Sequence, residues 1–246
     1  PIGPDAADKY YCGTFDGQFH RIKNLKIEST ELYRAVFGVV AGATIKNLII
    51  DSSCYFTGGK YAAAFVGAAK GVGTLTIESC GNEAEVLGTD QNNSAFLACN
   101  LSSGNVKVVM KNCYNTGKVS GGFENGVFSG WFASAGTVTS CWNTGDLSEG
   151  DVNNALGRGI ATGAFSSTYD LNSENLYSDA NAAVLTLSEF TNDWMTSGRF
   201  CFMLNGVGLH QNLKLAFQLR EPKGQLEDFQ DQNENNGQEH QIGRRD

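Results

Sequence analysis

This chain has little proline and little charge. It contains only three prolines and 18% charged residues, against 30 glycines in 246 residues. A glycine-rich chain of low charge is typical of a β-rich protein with many turns, and it disfavours a helical bundle. The formal net charge of −8 disfavours nucleic acid and anionic membrane surfaces, because both need concentrated Lys and Arg. No nucleic-acid partner is therefore predicted, and neutral or cationic partners fit better.

Long apolar runs and residues for common enzyme chemistry are also scarce. No run of about 18 apolar residues occurs, so no membrane-spanning segment is predicted. The three histidines His20, His210 and His240 are isolated, and there is no CxxC motif or Cys/His pair. Neither a metal site nor a cofactor is predicted, and no base can be paired with a nucleophile. His20 is interpreted as a solvent-facing strand residue.

What the chain does have is internal repetition. A phenylalanine beside glycine or small residues recurs at Phe37, Phe65, Phe96 and Phe128, about 28 to 32 residues apart, a period typical of stacked structural repeats. Each is followed by a Gly/Ser/Ala-rich stretch and then a short β-branched run, such as residues 44–50, that is too short to be a helix. We predict that the four phenylalanines face inward.

A cysteine marker keeps step with the phenylalanines. It reads Cys80-Gly-Asn, Cys113-Tyr-Asn-Thr-Gly and Cys141-Trp-Asn-Thr-Gly. Equivalent positions of a solenoid stack above one another, and free cysteine is among the most buried residue types. The three thiols are therefore predicted to form one buried, reduced column. The chain has seven cysteines, so at least one is unpaired in a monomer.

The repeats predict an all-β fold, a parallel β-solenoid of about five coils, because the connections are too short and glycine-rich for crossover helices. The solenoid is expected over residues 1–185. Residues 186–219, in which Ser188 can cap a helix and Gly198 can end it, are predicted to form a short helical C-terminal cap. Residues 220–246 are rich in Gln, Asn, Glu and Asp, so a disordered tail is predicted there.

The stretch Phe15-Asp-Gly-Gln-Phe-His-Arg-Ile-Lys-Asn-Leu25 resembles the GLUG-motif repeat proteins of bacterial cell surfaces, found in gut Bacteroidetes and Firmicutes. That family repeats the elements Phe-x-Gly, Ile-Lys-Asn-Leu and Cys-Tyr-Asn-Thr-Gly, and the resemblance extends over roughly residues 1–206. Phe19 stands where the family usually has glycine, which predicts a bulge in the first strand. The opening Pro-Ile-Gly resembles the end of a strand pair, so a missing N-terminal piece is expected.

The resemblance implies surface display. We expect an extracellular or cell-surface location, within a larger surface protein, although the chain itself carries no signal segment. The family has no uniform chemistry, so the implied role is non-enzymatic adhesion or ligand binding. The implied partners are a glycan or a protein of the host or of a neighbouring cell.

Two aromatic side chains are the candidate binding residues. Tyr114 and Trp142 follow Cys113 and Cys141, so they should stack one coil apart on one surface. Aromatic platforms can dock sugar rings or a partner protein, and Asp146 lies a few residues further along. The sequence leaves a second interpretation open, in which the two rings form an ordinary packed column that covers the solenoid.

An enzyme is the alternative function. Some β-helix proteins degrade polysaccharides with Asp, Lys or Arg side chains clustered on one face of the solenoid. Candidate carboxylates are Asp146, Glu149 and Asp151, with Arg158 nearby in sequence. Hydrolysis would need two carboxyl groups at a suitable separation, whereas an acidic loop on a solenoid commonly serves solubility.

Overall fold

The computed structural model describes residues 1–6, 8–100, 105–133, 136–154, 156–158, 165–166 and 168–170. Within these residues the secondary structure is entirely β, in strands joined by short turns. The strands, in chain order, are β1 (Thr14–Ile22), β2 (Lys26–Ile27), β3 (Phe37–Val40), β4 (Thr44–Ile50), β5 (Tyr55–Gly58), β6 (Val66–Ala69), β7 (Val72–Glu78), β8 (Gly81–Asn82), β9 (Glu85–Gly88), β10 (Asn93–Ser94), β11 (Leu97–Asn100), β12 (Asn105–Lys111), β13 (Tyr114–Asn115), β14 (Val119–Ser120), β15 (Glu124–Gly126), β16 (Ser129–Phe132), β17 (Gly136–Thr139), β18 (Trp142–Asn143), β19 (Leu147–Ser148), β20 (Val152–Asn154), β21 (Phe165–Ser166) and β22 (Tyr169–Asp170).

The strands stack as a parallel β-solenoid of about five coils, which confirms the predicted fold class. Each full coil passes through sheets A, B and C, and from the third coil a short sheet D completes the turn. Sheet A consists of β3, β6, β11 and β16. Sheet B consists of β1, β4, β7, β8, β12, β13, β17, β18, β21 and β22. Sheet C consists of β2, β5, β9, β14 and β19, and sheet D of β10, β15 and β20.

The repeated phenylalanines lie in the core, as predicted. Phe37, Phe65, Phe96 and Phe128 are each completely buried. The rings of Phe65 and Phe96 are stacked with centroids 4.9 Å apart, and those of Phe96 and Phe128 with centroids 5.5 Å apart. These separations are close to the spacing of neighbouring strands, because Phe65, Phe96 and Phe128 occupy the same position in successive coils. Phe37 pairs with Val66, one residue out of register with Phe65, and its ring contacts Tyr11 and Phe15.

The predicted thiol column is also present. Cys80, Cys113 and Cys141 are buried and reduced. The Sγ of each donates to the carbonyl oxygen two residues earlier, at 3.3 Å in all three cases. Thr168 continues the pattern in the next coil, since its Oγ1 donates to the carbonyl oxygen of Ser166 at 3.1 Å. This position of each coil therefore holds a small side chain that can donate one hydrogen bond, either a thiol or a hydroxyl.

Thiol labelling tests this column. Cys12 is exposed and should react with a thiol reagent at once, whereas Cys80, Cys113 and Cys141 should react only after unfolding. Raising the pH to about 9 should not make Cys80 or Cys141 reactive, because burial raises the pKa of both thiols well above the usual value and the thiolate is the reactive form. Rapid labelling of all three in the native protein would contradict the column.

Asparagine amides form a further column at the corner between sheets B and C. Asn82 Nδ2 donates to Asn115 Oδ1 at 2.8 Å, Asn115 Nδ2 donates to Asn143 Oδ1 at 2.7 Å, and Asn143 Nδ2 donates to Asp170 Oδ1 at 2.8 Å. All four side chains are completely buried. Buried amides need partners on every polar atom, and stacking identical residues supplies those partners from coil to coil.

The glycine that ends each Asn-Thr-Gly motif allows close stacking of the backbone. A Cβ on Gly117 would lie 2.0 Å from the carbonyl oxygen of Ala84, and a Cβ on Gly145 would lie 2.1 Å from that of Gly117. Because the clash is with backbone, a rotamer change cannot relieve it. In these two coils the corner has no room for a side chain, whereas the equivalent position of the preceding coil holds Ala84.

Gly117→Ala is therefore expected to lower the free energy of unfolding by about 2 to 3 kcal/mol, as an overpacked substitution does. Gly136→Ala is the matched control, because its nearest neighbour would be 3.3 Å away. Denaturant unfolding of both variants makes the comparison. Equal losses in the two variants would show that the backbone contact at Gly117 does not limit the coil spacing.

Phe19 interrupts the first strand as predicted. The pairing of β1 with β4 shifts register between Asp16 and His20, and Gln18 and Phe19 have φ values of 50° and 61°. His20 is exposed on β1, as its interpretation required. The predicted cap at residues 186–219 and tail at residues 220–246 lie outside the described residues.

Candidate functional site

Tyr114 and Trp142 do stack one coil apart. Their ring centroids are 5.1 Å apart with an angle of 16° between the ring planes. Each side chain is only 1% exposed, however, so neither ring offers a face on which a sugar could lie. The packed column that the sequence left open is the arrangement found.

Ion pairs from earlier coils surround this column. Arg21 makes two hydrogen bonds to Glu83, at 2.6 and 2.8 Å, and one to Asp51 at 2.9 Å. The Tyr114 hydroxyl donates to Glu83 Oε1 at 2.8 Å. Burial and the adjacent Glu83 carboxylate both raise the pKa of Tyr114. A Cβ on Gly81 would lie 2.2 Å from the Tyr114 ring, so this glycine makes room for the ring.

The acidic loop and Arg158 make separate contacts. Asp146 and Asp151 are exposed, and Asp146 accepts a hydrogen bond from the Ser148 hydroxyl at 3.2 Å. Glu149 forms an ion pair with Lys118 at 3.5 Å. Arg158 instead pairs with Glu124, donates to Asn92 Oδ1 at 3.3 Å, and places its guanidinium 4.7 Å from the centre of the Trp131 ring. Arg158 is therefore near these carboxylates in sequence, but it contacts other residues.

A cluster that the sequence analysis missed lies on the outer side of sheet A. We call it the tyrosine–lysine cluster, formed by Tyr33, Tyr61, Lys60 and Lys70. The two tyrosine rings are stacked, with centroids 5.2 Å apart and 8° between their planes. The Lys70 ammonium lies 4.1 Å from the centre of the Tyr33 ring, and the Lys60 ammonium lies 5.0 Å from that of Tyr61. Each ring therefore has its own cation.

The two tyrosines are held in a strained backbone conformation. Tyr33 has φ of 57° and Tyr61 has φ of 69°, while Asn92, at the equivalent place in the next coil, has φ of 62°. Asparagine tolerates this left-handed region, but a bulky side chain there is a real outlier. A Cβ on Gly67 would lie 2.6 Å from Tyr33 Cα, so the glycine of the repeated Phe-x-Gly element lets the strained turn pack on sheet A.

Beneath the cluster is a small apolar layer outside the main core. It is separate from the phenylalanine core, and its fully buried members are Val39, Ala68 and Cys99, which pair with one another across sheet A. Burial raises the pKa of Cys99, although Lys70 and Lys60 oppose the shift. Cys99 is thus a neutral packing residue and not a nucleophile.

The N-terminal segment folds over this face. Ile2 and Tyr11 pair with β3 by single bridges, so the segment between them loops outward. Asp5 on that loop accepts a hydrogen bond from Lys70 Nζ at 2.6 Å. Burial acts to lower the pKa of Lys70, but the hydrogen bond to Asp5 and the adjacent Tyr33 outweigh it, and the pKa is raised. The loop thereby connects to the tyrosine–lysine cluster.

Between the loop and the Tyr33 turn there is a cavity of about 160 Å³. It is lined by Pro1, Gly3, Pro4, Asp5, Leu32, Tyr33, Arg34, Gly38 and Val39. The lining is mainly apolar, with one carboxylate and one guanidinium. A concave, mostly apolar site with a few polar groups is the usual form of a small-molecule pocket.

One sequence signal could have found the cluster. Tyr33 and Tyr61 each stand four residues before a repeated phenylalanine, Phe37 and Phe65. This equal spacing was visible in the sequence, but nothing there indicated a left-handed turn or a covering loop. Comparison with protein-family models, curated proteins and solved structures finds no match to this chain.

Across the described ranges, no three His, Cys, Asp or Glu side chains are grouped so that they could hold a metal ion. No helix in the same part of the chain is long and apolar enough to cross a bilayer.

Proposed function

We propose that this protein is a non-enzymatic adhesion or ligand-binding module of an extracellular surface protein, with a glycan as its preferred ligand class. The proposal is supported by the resemblance of residues 15–25 to the surface-displayed GLUG-motif proteins. It is carried by one observation, the stacked Tyr33 and Tyr61 rings with an ammonium over each, held in strained turns at equivalent positions of two coils.

Strain is the reason for assigning function to these rings. A left-handed tyrosine costs on the order of 1 kcal/mol relative to a residue that accepts this conformation. The chain uses asparagine at the equivalent position, Asn92, so the fold does not require an aromatic residue there. Tyrosines that are unfavourable for the backbone at two neighbouring coils are explained by what their rings contact.

The chemistry of the cluster suits a sugar. Aromatic rings pack against the apolar face of a pyranose, and their hydroxyl groups, like the lysine ammonium groups, bond to its oxygens. Tyr61 is half-buried, and the Lys60 ammonium that lies over it is at the end of a flexible stem. A ligand ring can displace Lys60 and contact Tyr61 without unfolding any strand. The rigid stack of coils below holds the site in place.

Binding of the full chain to a glycan and host-matrix-protein array tests the proposal. Tyr61→Asn should reduce glycan binding at least tenfold while leaving the melting temperature unchanged or higher, because asparagine accepts the left-handed turn. Tyr55→Ala, which removes a half-buried tyrosine on sheet C, is the control and should bind as the unmodified chain does. A lower melting temperature with unchanged binding would mean that the rings only hold the N-terminal loop.

The polysaccharide-degrading alternative has its own test. Release of reducing ends from acidic and neutral glycans should stay at background. Sustained turnover that is abolished by Asp146→Asn would replace binding with catalysis and would locate the chemistry on the acidic loop.

A further inference from the structure

The two ammonium groups of the tyrosine–lysine cluster differ in their partners. Lys70 pairs with Asp5 at 2.6 Å, whereas Lys60 forms no ion pair with any residue that the structure describes. The Lys60 ammonium lies instead 5.0 Å from the centre of the Tyr61 ring. Lys60 is therefore a cation that an anionic group of a ligand can pair with.

Asp90 is the carboxylate that acts on Lys60. The adjacent Tyr61 and, to a smaller degree, Asp90 raise the pKa of Lys60, so the ammonium is charged at neutral pH. Asp90 Oδ1 accepts a hydrogen bond from the backbone amide of Gln91 at 2.8 Å. Asp90 thus favours the charged form of Lys60 but binds a different group.

Local charge matters more than net charge for a ligand at this cluster. The formal net charge of −8 disfavours an anionic ligand at long range. Screening limits that effect, because the Debye length is about 10 Å at 0.1 M salt. The Asp5 carboxylate beside the cluster is already neutralised by Lys70, so it repels an anionic ligand only weakly. Lys60 then supplies the charge that attracts one.

An anionic group can also uncover the ring that the ligand contacts. Tyr33 is 8% exposed beneath Tyr61, so the half-buried Tyr61 is the ring that a ligand can reach once Lys60 moves away. A cation–π contact at a partly exposed site is weak, whereas a hydrogen bond between an ammonium and an anion is charge-assisted and stronger. An acidic sugar therefore compensates for the lost contact of Lys60 better than a neutral sugar does.

We infer that Lys60 and Tyr61 bind an acidic sugar residue of a glycan, one whose ring carries a carboxylate or a sulfate. The anionic group pairs with the Lys60 ammonium, and the sugar ring packs against Tyr61. This inference rests on the proposed function of the tyrosine–lysine cluster and names the ligand class of the same face.

Calorimetric titration of the full chain with trigalacturonic acid, its neutral methyl ester and a sulfated galactose trisaccharide tests the inference. The acid and the ester differ only at their carboxyl groups, so their comparison isolates the charge. Lys60→Gln removes the ammonium, and Lys60→Arg keeps a positive charge. Lys107→Gln is the control, because Lys107 is exposed on β12 in sheet B and its loss changes the net charge equally. Melting temperatures establish that the variants are folded.

We expect trigalacturonic acid to bind at least tenfold more tightly than its ester. Lys60→Gln should remove this difference, whereas Lys60→Arg and Lys107→Gln should retain it. Asp90→Asn should tighten binding of the acid, because it removes a like charge beside the ligand. Added salt should weaken binding of the acid more than binding of the ester. Preferential binding of the sulfated trisaccharide, lost in Lys60→Gln, would support the inference with sulfate as the anionic group.

Equal or tighter binding of the ester, or no binding of any of the three trisaccharides, would overturn the acidic class. A preference for the acid that survives in Lys60→Gln would place the anionic group elsewhere and would also refute the inference. Array binding that depends on Tyr61 but not on Lys60 would refute it and leave the proposed function standing. No array binding would refute the proposed function itself.

Discussion

Phe96→Ala is expected to lower the free energy of unfolding by about 3 to 5 kcal/mol, the usual cost of truncating a buried phenylalanine. Phe96 is completely buried and stacks on Phe65 in one neighbouring coil and on Phe128 in the other. Its loss removes two ring contacts and leaves a cavity in the middle of the column. Because each coil contacts only its neighbours, the cavity weakens the interfaces on both sides.

Chemical denaturation measured by circular dichroism checks this value. Phe123→Ala is the control, since Phe123 is 55% exposed, and it should change the stability by no more than about 0.5 kcal/mol. A loss near zero at Phe96 would place its ring outside the cooperative core and would break the repeat register.

Asn115→Ala is expected to cost about 3 kcal/mol or more. The Asn115 amide accepts from Asn82 Nδ2, donates to Asn143 Oδ1 and donates to the carbonyl oxygen of Gly117. Alanine leaves three buried polar groups each short of one bond, at about 1 kcal/mol or more for each. No water can easily replace the amide, because the column is completely buried.

Thermal and denaturant unfolding of Asn115→Ala measure this cost. Thr116→Ala changes the next residue of the same turn and should be nearly neutral, because Thr116 is half-buried and outside the amide column. Similar stability of the two variants would mean that the amide column is dispensable and that strand pairing alone holds the corner.

Tyr114 and Trp142 show the limit of what periodicity predicts. Periodicity places Tyr114 and Trp142 in one column, and their stacking confirms it. Whether the two rings are exposed depends on side chains from other coils that the repeat pattern does not identify. Glu83 and the distant Arg21 enclose Tyr114 from earlier coils. Tyr114, a candidate ligand-binding residue in the sequence, is therefore a buried packing residue.

Tyr33 and Tyr61 are the opposite case, because the structure shows a cluster that the sequence did not indicate. In sequence they are two unremarked aromatic residues before repeated phenylalanines. Their stacking, their left-handed backbone and the cations above them arise only when successive coils are superposed. The cavity also requires residues 1–5 to lie across the Tyr33 turn, and no local pattern predicts that contact.

The sequence by itself determined the repeat. The period of the phenylalanines and cysteines was enough for an all-β parallel solenoid, its inward residues and its reduced thiol column, because these depend on local strand propensity and on equivalent positions lying one strand apart. The bulge at Phe19 was expected from the family resemblance. Only the tertiary structure decided which outward columns are covered and which line a cavity. Burial of an outward side chain depends on segments distant in sequence, here Arg21 over Tyr114 and the N-terminal loop over sheet A, and those contacts have no period to detect.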